Sequence, residues 1–463
     1  MPETPSLDDE RPRRVPGWLV LGAVVVLVGG VVLALVLAWL VLPDDPEPRA
    51  APTRTPTPTA SASASDTPST SGSSALTARR AEAVGALLAA RSQAVLAGDQ
   101  AALVDQVDPT QAEFAEQQRL VARRLGDVPL AQWSYQVVGD GPELSDERTA
   151  VLPDGAAVVR VRLTYRVQGT TTETDREQYL TVVPRGGRWL LAGDTDGEAD
   201  GLRTERDLWD LGPVRVRQGE SAVVVADRRT VDRDEMGRLS TEADRAVSDV
   251  DRVWRADWSR QPLVLVPHSQ RDMATLLGDD GKGLAQIAAV TTGSVAEGLT
   301  RGDRVVINPE TFATLGPVGR RIVLSHEMTH LAARASSVQT VPIWLSEGFA
   351  DFVAYDATTV PAGVVAADLL EQVRAGDAPR QLPDDAAFDA GEGDIAAAYE
   401  GAWLACRMIA QRWGEAALVR FYTDMTDSAG PGWPDEVESS LGVSERRLVR
   451  QWRTYVAQLA AST

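Results

Sequence analysis

The sequence predicts an α+β protein tethered by an N-terminal transmembrane helix, and three observations carry that prediction. An uncharged apolar run stands near the N-terminus. An Ala/Leu-rich helical pattern then gives way to period-two alternation, which places helices before a meander of strands. Farther along, several strand-like segments precede a series of helical patterns, one of which carries two of the chain's three histidines. A chain of 463 residues is too long for one compact core, so two or three domains are expected.

The run Trp18–Leu42, "WLVLGAVVVLVGGVVLALVLAWLVL", is 25 residues long and can cross a hydrocarbon core of about 30 Å with some tilt. Trp18 and Trp39 suit the two interfaces. A cleaved signal peptide has a shorter apolar core and a small-residue cleavage site, whereas Pro43-Asp44-Asp45-Pro46 follows here. Arg11, Arg13 and Arg14 precede the span, so residues 1–17 are expected in the cytoplasm and the rest of the chain outside it. Residues 43–75, rich in Pro, Ser and Thr, have almost no large apolar side chain to offset the entropy of ordering, and read as a disordered linker.

The net charge of −20 repels phosphate backbones, which argues against a nucleic-acid partner. The one cysteine, Cys406, sits in the helical run "GAWLACRMIAQRW" and reads as a small buried hydrophobe, with no histidine near it in sequence to activate a thiolate.

The first folded region, residues 76–200, opens with one or two helices over residues 75–107, broken near Gly98-Asp99. In "VVRVRLTYRVQ", Val159, Val161, Leu163, Tyr165 and Val167 alternate with polar residues, as in a strand with one buried face. "EQYLTVVPRGGRWLLAGD" reads as a hairpin turning at Pro184-Arg185-Gly186-Gly187. This order, closing on "RWLLAGD", resembles the NTF2-like family of cone-shaped helix-on-sheet domains, which implies a binding or spacer module. The region shows no acid/base constellation of its own.

The second region, residues 215–463, begins with the strand-like "SAVVVAD". A helix follows with Ala243, Val247, Val250 and Trp254 on one face, for which Ser240 or Thr241 is the expected cap. "PLVLVPH", "AAVTTGSV" and "DRVVINP" are further strands, and His268 reads as a loop histidine. Pro317 suits the first turn of a helix that continues to about Ala335. The C-terminal "SERRLVRQWRTYVAQLAAS" is an amphipathic helix with Leu448, Trp452, Val456 and Leu459 on its apolar face.

Within the Pro317 helix, "LSHEMTHLAAR" puts His326 and His330 one turn apart on one face. Both imidazoles can then converge on one ion at about 2.0–2.1 Å, as zinc requires. Glu327 stands one step round the helix, beside the metal, where it can take a proton from water. With three histidines in the chain, composition alone yields HExxH on the order of 10⁻³ times. Zinc enzymes usually use three protein ligands, and "IWLSEGFADF" offers the third in Glu347, with Asp351 one turn on to accept the other ring N–H of a ligand histidine. The alternative is an exposed acidic pair on an ordinary helix.

"HEMTH" followed by "WLSEGFADF" resembles the gluzincin metallopeptidases, the thermolysin and aminopeptidase N clan, and most closely its peptidase MA-like members. The resemblance implies a mixed sheet with a mostly helical C-terminal lobe. It also implies zinc on His326, His330 and Glu347, Glu327 as general base, and Asp351 supporting a ligand. It further implies that Tyr399, in "AAAYEGAWLACRMIAQRWG", hydrogen-bonds the oxyanion, and that "DRVVINP" or "AAVTTGSV" is the sheet edge on which a peptide substrate pairs. "GSVAEG", with Glu297, departs from the glycine-rich exopeptidase motif, which favours an endopeptidase over an aminopeptidase. A catalytically silent, membrane-anchored scaffold with a peptidase-like fold is the alternative function. The sequence leaves the oligomeric state open.

Overall fold

The computed structural model describes residues 70–279, 281–296, 299–335, 341–388, 394–427 and 433–463. The expected span Trp18–Leu42 and the cytoplasmic tail lie outside the described residues, as does the linker up to residue 69. Among the described residues, no helix is long and apolar enough to cross a membrane. The architecture is mixed α+β, and the described residues fall into two compact units. The first holds 70–313 and 327–335, the second 314–326 and 341–463.

In the first unit, helix α1 (Thr70–Ala97) starts inside the stretch read as linker. It buries Val84, Leu87, Leu88, Arg91, Ala94 and Val95 at helical spacing. Gly98, at φ +66, ends it, and the Asp99 side chain accepts from Ala102 N–H to start α2 (Gln100–Asp105). After α3 (Ala112–Leu125) come β1 (Leu130–Asp140), the short α4 (Asp146–Val151), β2 (Ala157–Val167), β3 (Thr174–Arg185) and β4 (Arg188–Gly193). The strands form an antiparallel meander in the order β1-β2-β3-β4. Gly186 and Gly187, both at positive φ, make the two-residue turn between paired Arg185 and Arg188, a geometry that side-chain-bearing residues adopt poorly. Strand β1 has no counterpart among the sequence expectations, although Trp133, Tyr135 and Val137 turn inward in alternation with exposed Ser134, Gln136 and Val138.

The same unit continues through α5 (Leu208–Leu211), β5 (Val214–Gln218), β6 (Val223–Asp227), α6 (Arg233–Val253), β7 (Leu263–Val266), α7 (Gln270–Leu277), β8 (Ala289–Ala296), β9 (Leu299–Ile307) and α8 (Pro309–Thr314). The second sheet has the order β5-β6-β7-β9-β8. Strands β6, β7 and β9 are parallel, and β8 is an antiparallel edge strand. The continuous apolar runs of β6 and β7 are buried throughout, as parallel central strands require. Helix α6 begins earlier than expected. Its cap is Asp232, which accepts from Glu235 N–H, rather than Ser240 or Thr241; the polar first turns hide this start from an apolar-periodicity reading.

The two sheets share one core. Trp133 and Tyr165 of the meander pack with Trp209 of α5 and with Val223, Leu265 and Val306 of the second sheet. Asp207, just before α5, is buried and accepts from Tyr165 Oη at 2.8 Å and from Arg304 Nη1 at 2.6 Å, with Arg176 Nε at 3.4 Å. Burial pushes its carboxyl up, but Arg176 and Arg304 outweigh that and hold it below the ordinary carboxylate value.

The second unit is helical. Helix α9 spans Pro317–Ala335. It is followed by α10 (Ile343–Asp356), α11 (Ala362–Val365), α12 (Ala367–Arg374), α13 (Ile395–Trp413), α14 (Glu415–Asp427), α15 (Trp433–Leu441) and α16 (Glu445–Ser462). Helices α10 and α13 meet at Gly348, where a Cβ would stand 2.4 Å from the Ala402 carbonyl oxygen. In α16, Leu448, Trp452 and Val456 are buried, and the Trp452 indole N–H donates to the Gly401 carbonyl at 3.1 Å.

Candidate metal centre

Helix α9 presents the motif in fully buried surroundings, because residues 322–330 are buried on every face rather than along one stripe. His326, Glu327 and His330 are 3%, 0% and 7% exposed, and Glu347 and Asp351 on α10 are 4% and 5% exposed. Ionisable groups so buried are costly unless they meet partners or a metal.

The partners are specific. His326 Nδ1–H donates to Asp351 Oδ1 at 2.9 Å, and the opposite ring nitrogen, Nε2, stands 3.4 Å from Glu347 Oε2. Burial opposes the charged form of His326, but the Asp351 and Glu347 carboxylates outweigh it and raise the imidazole well above its ordinary value. His330 lies one turn farther along α9, and one ligand atom from each of His326, His330 and Glu347 lies within 4.8 Å of the other two.

This donor set fits zinc. Two ligand atoms each about 2.0–2.1 Å from a tetrahedral ion stand roughly 3.4 Å apart, and the His326 Nε2 to Glu347 Oε2 separation is 3.4 Å. With Nδ1–H on Asp351, Nε2 is the nitrogen that would face a metal on giving up its proton, the tautomer a ligand needs.

Glu327 is held by a residue absent from the sequence reading. Thr291 Oγ1–H, on edge strand β8, lies 2.6 Å from Glu327 Oε2 and 2.9 Å from the Glu327 carbonyl oxygen. The signal for it, a threonine in the inward register of an edge strand, has meaning only once β8 is known to pass α9. Tyr399 is 2% exposed on α13, its ring edge-on to Phe388 at 5.0 Å; this contact places it in the packing of the helical unit. Cys406 is fully buried, and burial and the Asp351 carboxylate push its thiol well up, which suits a packing role. His268 is exposed in a loop with Nδ1 2.8 Å from Thr230 Oγ1. Glu297 lies outside the described residues.

No protein-family model matches the chain, and no curated protein matches it. Solved structures of an M1 zinc metallopeptidase from Deinococcus radiodurans do. A point mutant is 14% identical over 70% of this chain and 61% of that one, with a TM-score of 0.30. The same mutant bound to a Tyr-Ser-Ala substrate matches with the same figures, 14%, 70%, 61% and 0.30. A further structure of the metallopeptidase is 16% identical over 71% of each chain, with a TM-score of 0.28. The chain thus spans 61% of the length of the first two. Superposition at this level decides nothing about the present chain, whose chemistry rests on its own residues.

Proposed function

We propose that the chain is a zinc-dependent metallopeptidase, anchored in the cell membrane with its folded part outside the cytoplasm, that hydrolyses peptide bonds. The observation that carries this reading is the His326 Nε2 to Glu347 Oε2 separation of 3.4 Å, about the spacing that two ligands of one zinc would have, with Nδ1 of the same ring on Asp351 at 2.9 Å. His326, His330 and Glu347 hold the ion, and Asp351 fixes the orientation and tautomer of His326. When bound, zinc supplies Lewis acidity toward a carbonyl oxygen and lowers the pKa of water. The Glu327 carboxylate then takes the proton from water and passes it to the leaving amine, while Thr291 fixes that carboxylate. Tyr399 donates to the oxyanion.

Strand β8 supports the choice of substrate. It is the outer strand of its sheet, so an extended peptide can pair along it, and its Thr291 binds the proposed base. The departure of "GSVAEG" from the exopeptidase motif favours an endopeptidase. The test is metal analysis of the full-length protein beside His326→Ala and Glu327→Gln, with casein hydrolysis as the activity. About one zinc per chain, lost in His326→Ala, and a Glu327→Gln protein that keeps zinc but cleaves nothing are expected. A Glu327→Gln protein that still cleaves would sink the mechanism. Absence of metal from every form would favour the silent scaffold.

A further inference from the structure

The first unit contains a small polar cavity that the proposed reaction does not use. Its polar walls include Arg91 of α1, Gln118 of α3, Trp133 of β1, Gln178 of β3, the charged residues Asp194, Arg206 and Asp207, and Asp210 of α5. The space open to water centres is about 40 Å³, room for roughly three waters or as many ligand atoms.

The charges around it do not balance. Asp207 is held by two arginines, Arg176 and Arg304, and Asp194 by Arg206 at 2.5 Å. Burial pushes Asp210 up to about 7, so it carries only part of a charge near neutrality. Among the described residues Arg91, 7% exposed, donates to neutral groups: Nη2 to Gln118 Oε1, and Nη1 to the Leu103 carbonyl at 3.4 Å. A guanidinium carries five N–H donors, so most of those on Arg91 are available to another acceptor. Trp133, 5% exposed, has its indole N–H buried without an acceptor. A buried cation without a counter-charge and a buried donor without an acceptor each cost free energy, and one anion removes both costs.

We propose that this cavity binds a small carboxylate, held by Arg91 with Trp133 as a second donor. The planar fork of arginine matches a carboxylate's two oxygens. A carboxylate group has three heavy atoms, which the space admits. The group can belong to a free acid or to the end of a longer molecule.

The experiment titrates the full-length protein in detergent with sodium acetate and with N-acetylglycine, following thermal unfolding and calorimetric heat, against sodium chloride at equal ionic strength. A saturable rise in melting temperature with either carboxylate, beyond that with chloride, is expected. Response to acetate assigns a free acid, and response to N-acetylglycine alone assigns the end of a longer molecule; both support the site. Arg91→Met should weaken binding about tenfold or more, the loss of one charge-assisted contact. Gln118→Glu keeps the side-chain size and supplies a carboxylate to Arg91 from within the chain, so it should raise the melting temperature and abolish the response. Equal effects of acetate, N-acetylglycine and chloride, or an intact response in Gln118→Glu, overturn the proposal. Glu327→Gln should respond as the parent does, which separates this site from the metal centre.

Discussion

Replacing Gly348 by alanine tests whether the α10–α13 contact sets the geometry of the metal centre. An added Cβ would lie 2.4 Å from the Ala402 carbonyl oxygen, 2.6 Å from its carbonyl carbon and 3.1 Å from Cys406 Sγ. Two of these neighbours are helix backbone, which cannot rotate away, so α10 and α13 must separate by roughly 1 Å to restore an ordinary contact. Overpacking of this kind costs about 1–3 kcal/mol, and better helix propensity returns about 1 kcal/mol. The net loss is about 0–2 kcal/mol, or up to roughly 8 °C in melting temperature for a unit of this size. Because Gly348 directly follows Glu347, the displacement also takes Glu347 Oε2 away from its 3.4 Å position at His326 Nε2. Zinc affinity should then fall about tenfold, as for loss of a supporting contact. Calorimetric melting of the metal-free protein and chelator competition on the loaded one measure the two effects. A Gly348→Ala protein with unchanged melting temperature and unchanged zinc affinity refutes the reasoning.

Asp351→Asn removes the carboxylate that orients His326, so zinc affinity measured against a chelator should drop about 10–100-fold with the melting temperature of the metal-free form little changed; unaltered affinity would show that Asp351 does not support the ligand. Asp207→Asn should cost about 3–5 kcal/mol at neutral pH, because it leaves Arg176 and Arg304 buried against a neutral group. The folded-state carboxyl of Asp207 is depressed, so its contribution is complete above the unfolded value of about 3.9 and is lost progressively as pH falls from there through the lower folded-state value. Denaturant titrations from pH 6 down to pH 2.5 should therefore converge for parent and variant; parallel curves would contradict the assignment. Glu400, on α13, accepts from Leu369 N–H at 2.6 Å and Asp368 N–H at 3.3 Å, yet burial pushes its carboxyl up to about 8. A raised acid makes stability decline as pH rises from the unfolded value of about 4.3 to about 8, and Glu400→Gln should flatten that decline in the same titration.

How much of this was legible in the sequence depends on whether a feature is local or set by register between distant segments. Helix α9 was legible because Pro317 marks its start and His326 and His330 fall at helical spacing, and β2 was legible because its alternation is strict over Val159–Val167. The pairing of the two edge-and-centre candidates was not: "AAVTTGSV" and "DRVVINP" look alike as strings, and only the sheet order makes β8 the edge and β9 an interior strand. Strand β1 alternates only briefly, at Trp133, Tyr135 and Val137, between exposed ends, and α6 starts on a polar turn that carries no apolar period. Thr291 illustrates the same limit at the site. Its hydroxyl reaches Glu327 because the β8 register fixes which of two adjacent threonines turns inward, and a shift by one residue would offer Thr292 instead. Thr292 in fact lies 3.4 Å from Arg304 Nε, and Arg304 donates to Asp207. The strand that fixes the proposed base therefore also touches, through its next residue, the buried charge pair on which the shared core of the two sheets is built. Asp207→Asn thus has a second readout: if the pair holds β8 in register, zinc content should be unchanged while casein hydrolysis falls. Full hydrolysis in a folded Asp207→Asn protein would show that the register of β8 is held by its ladder with β9 alone.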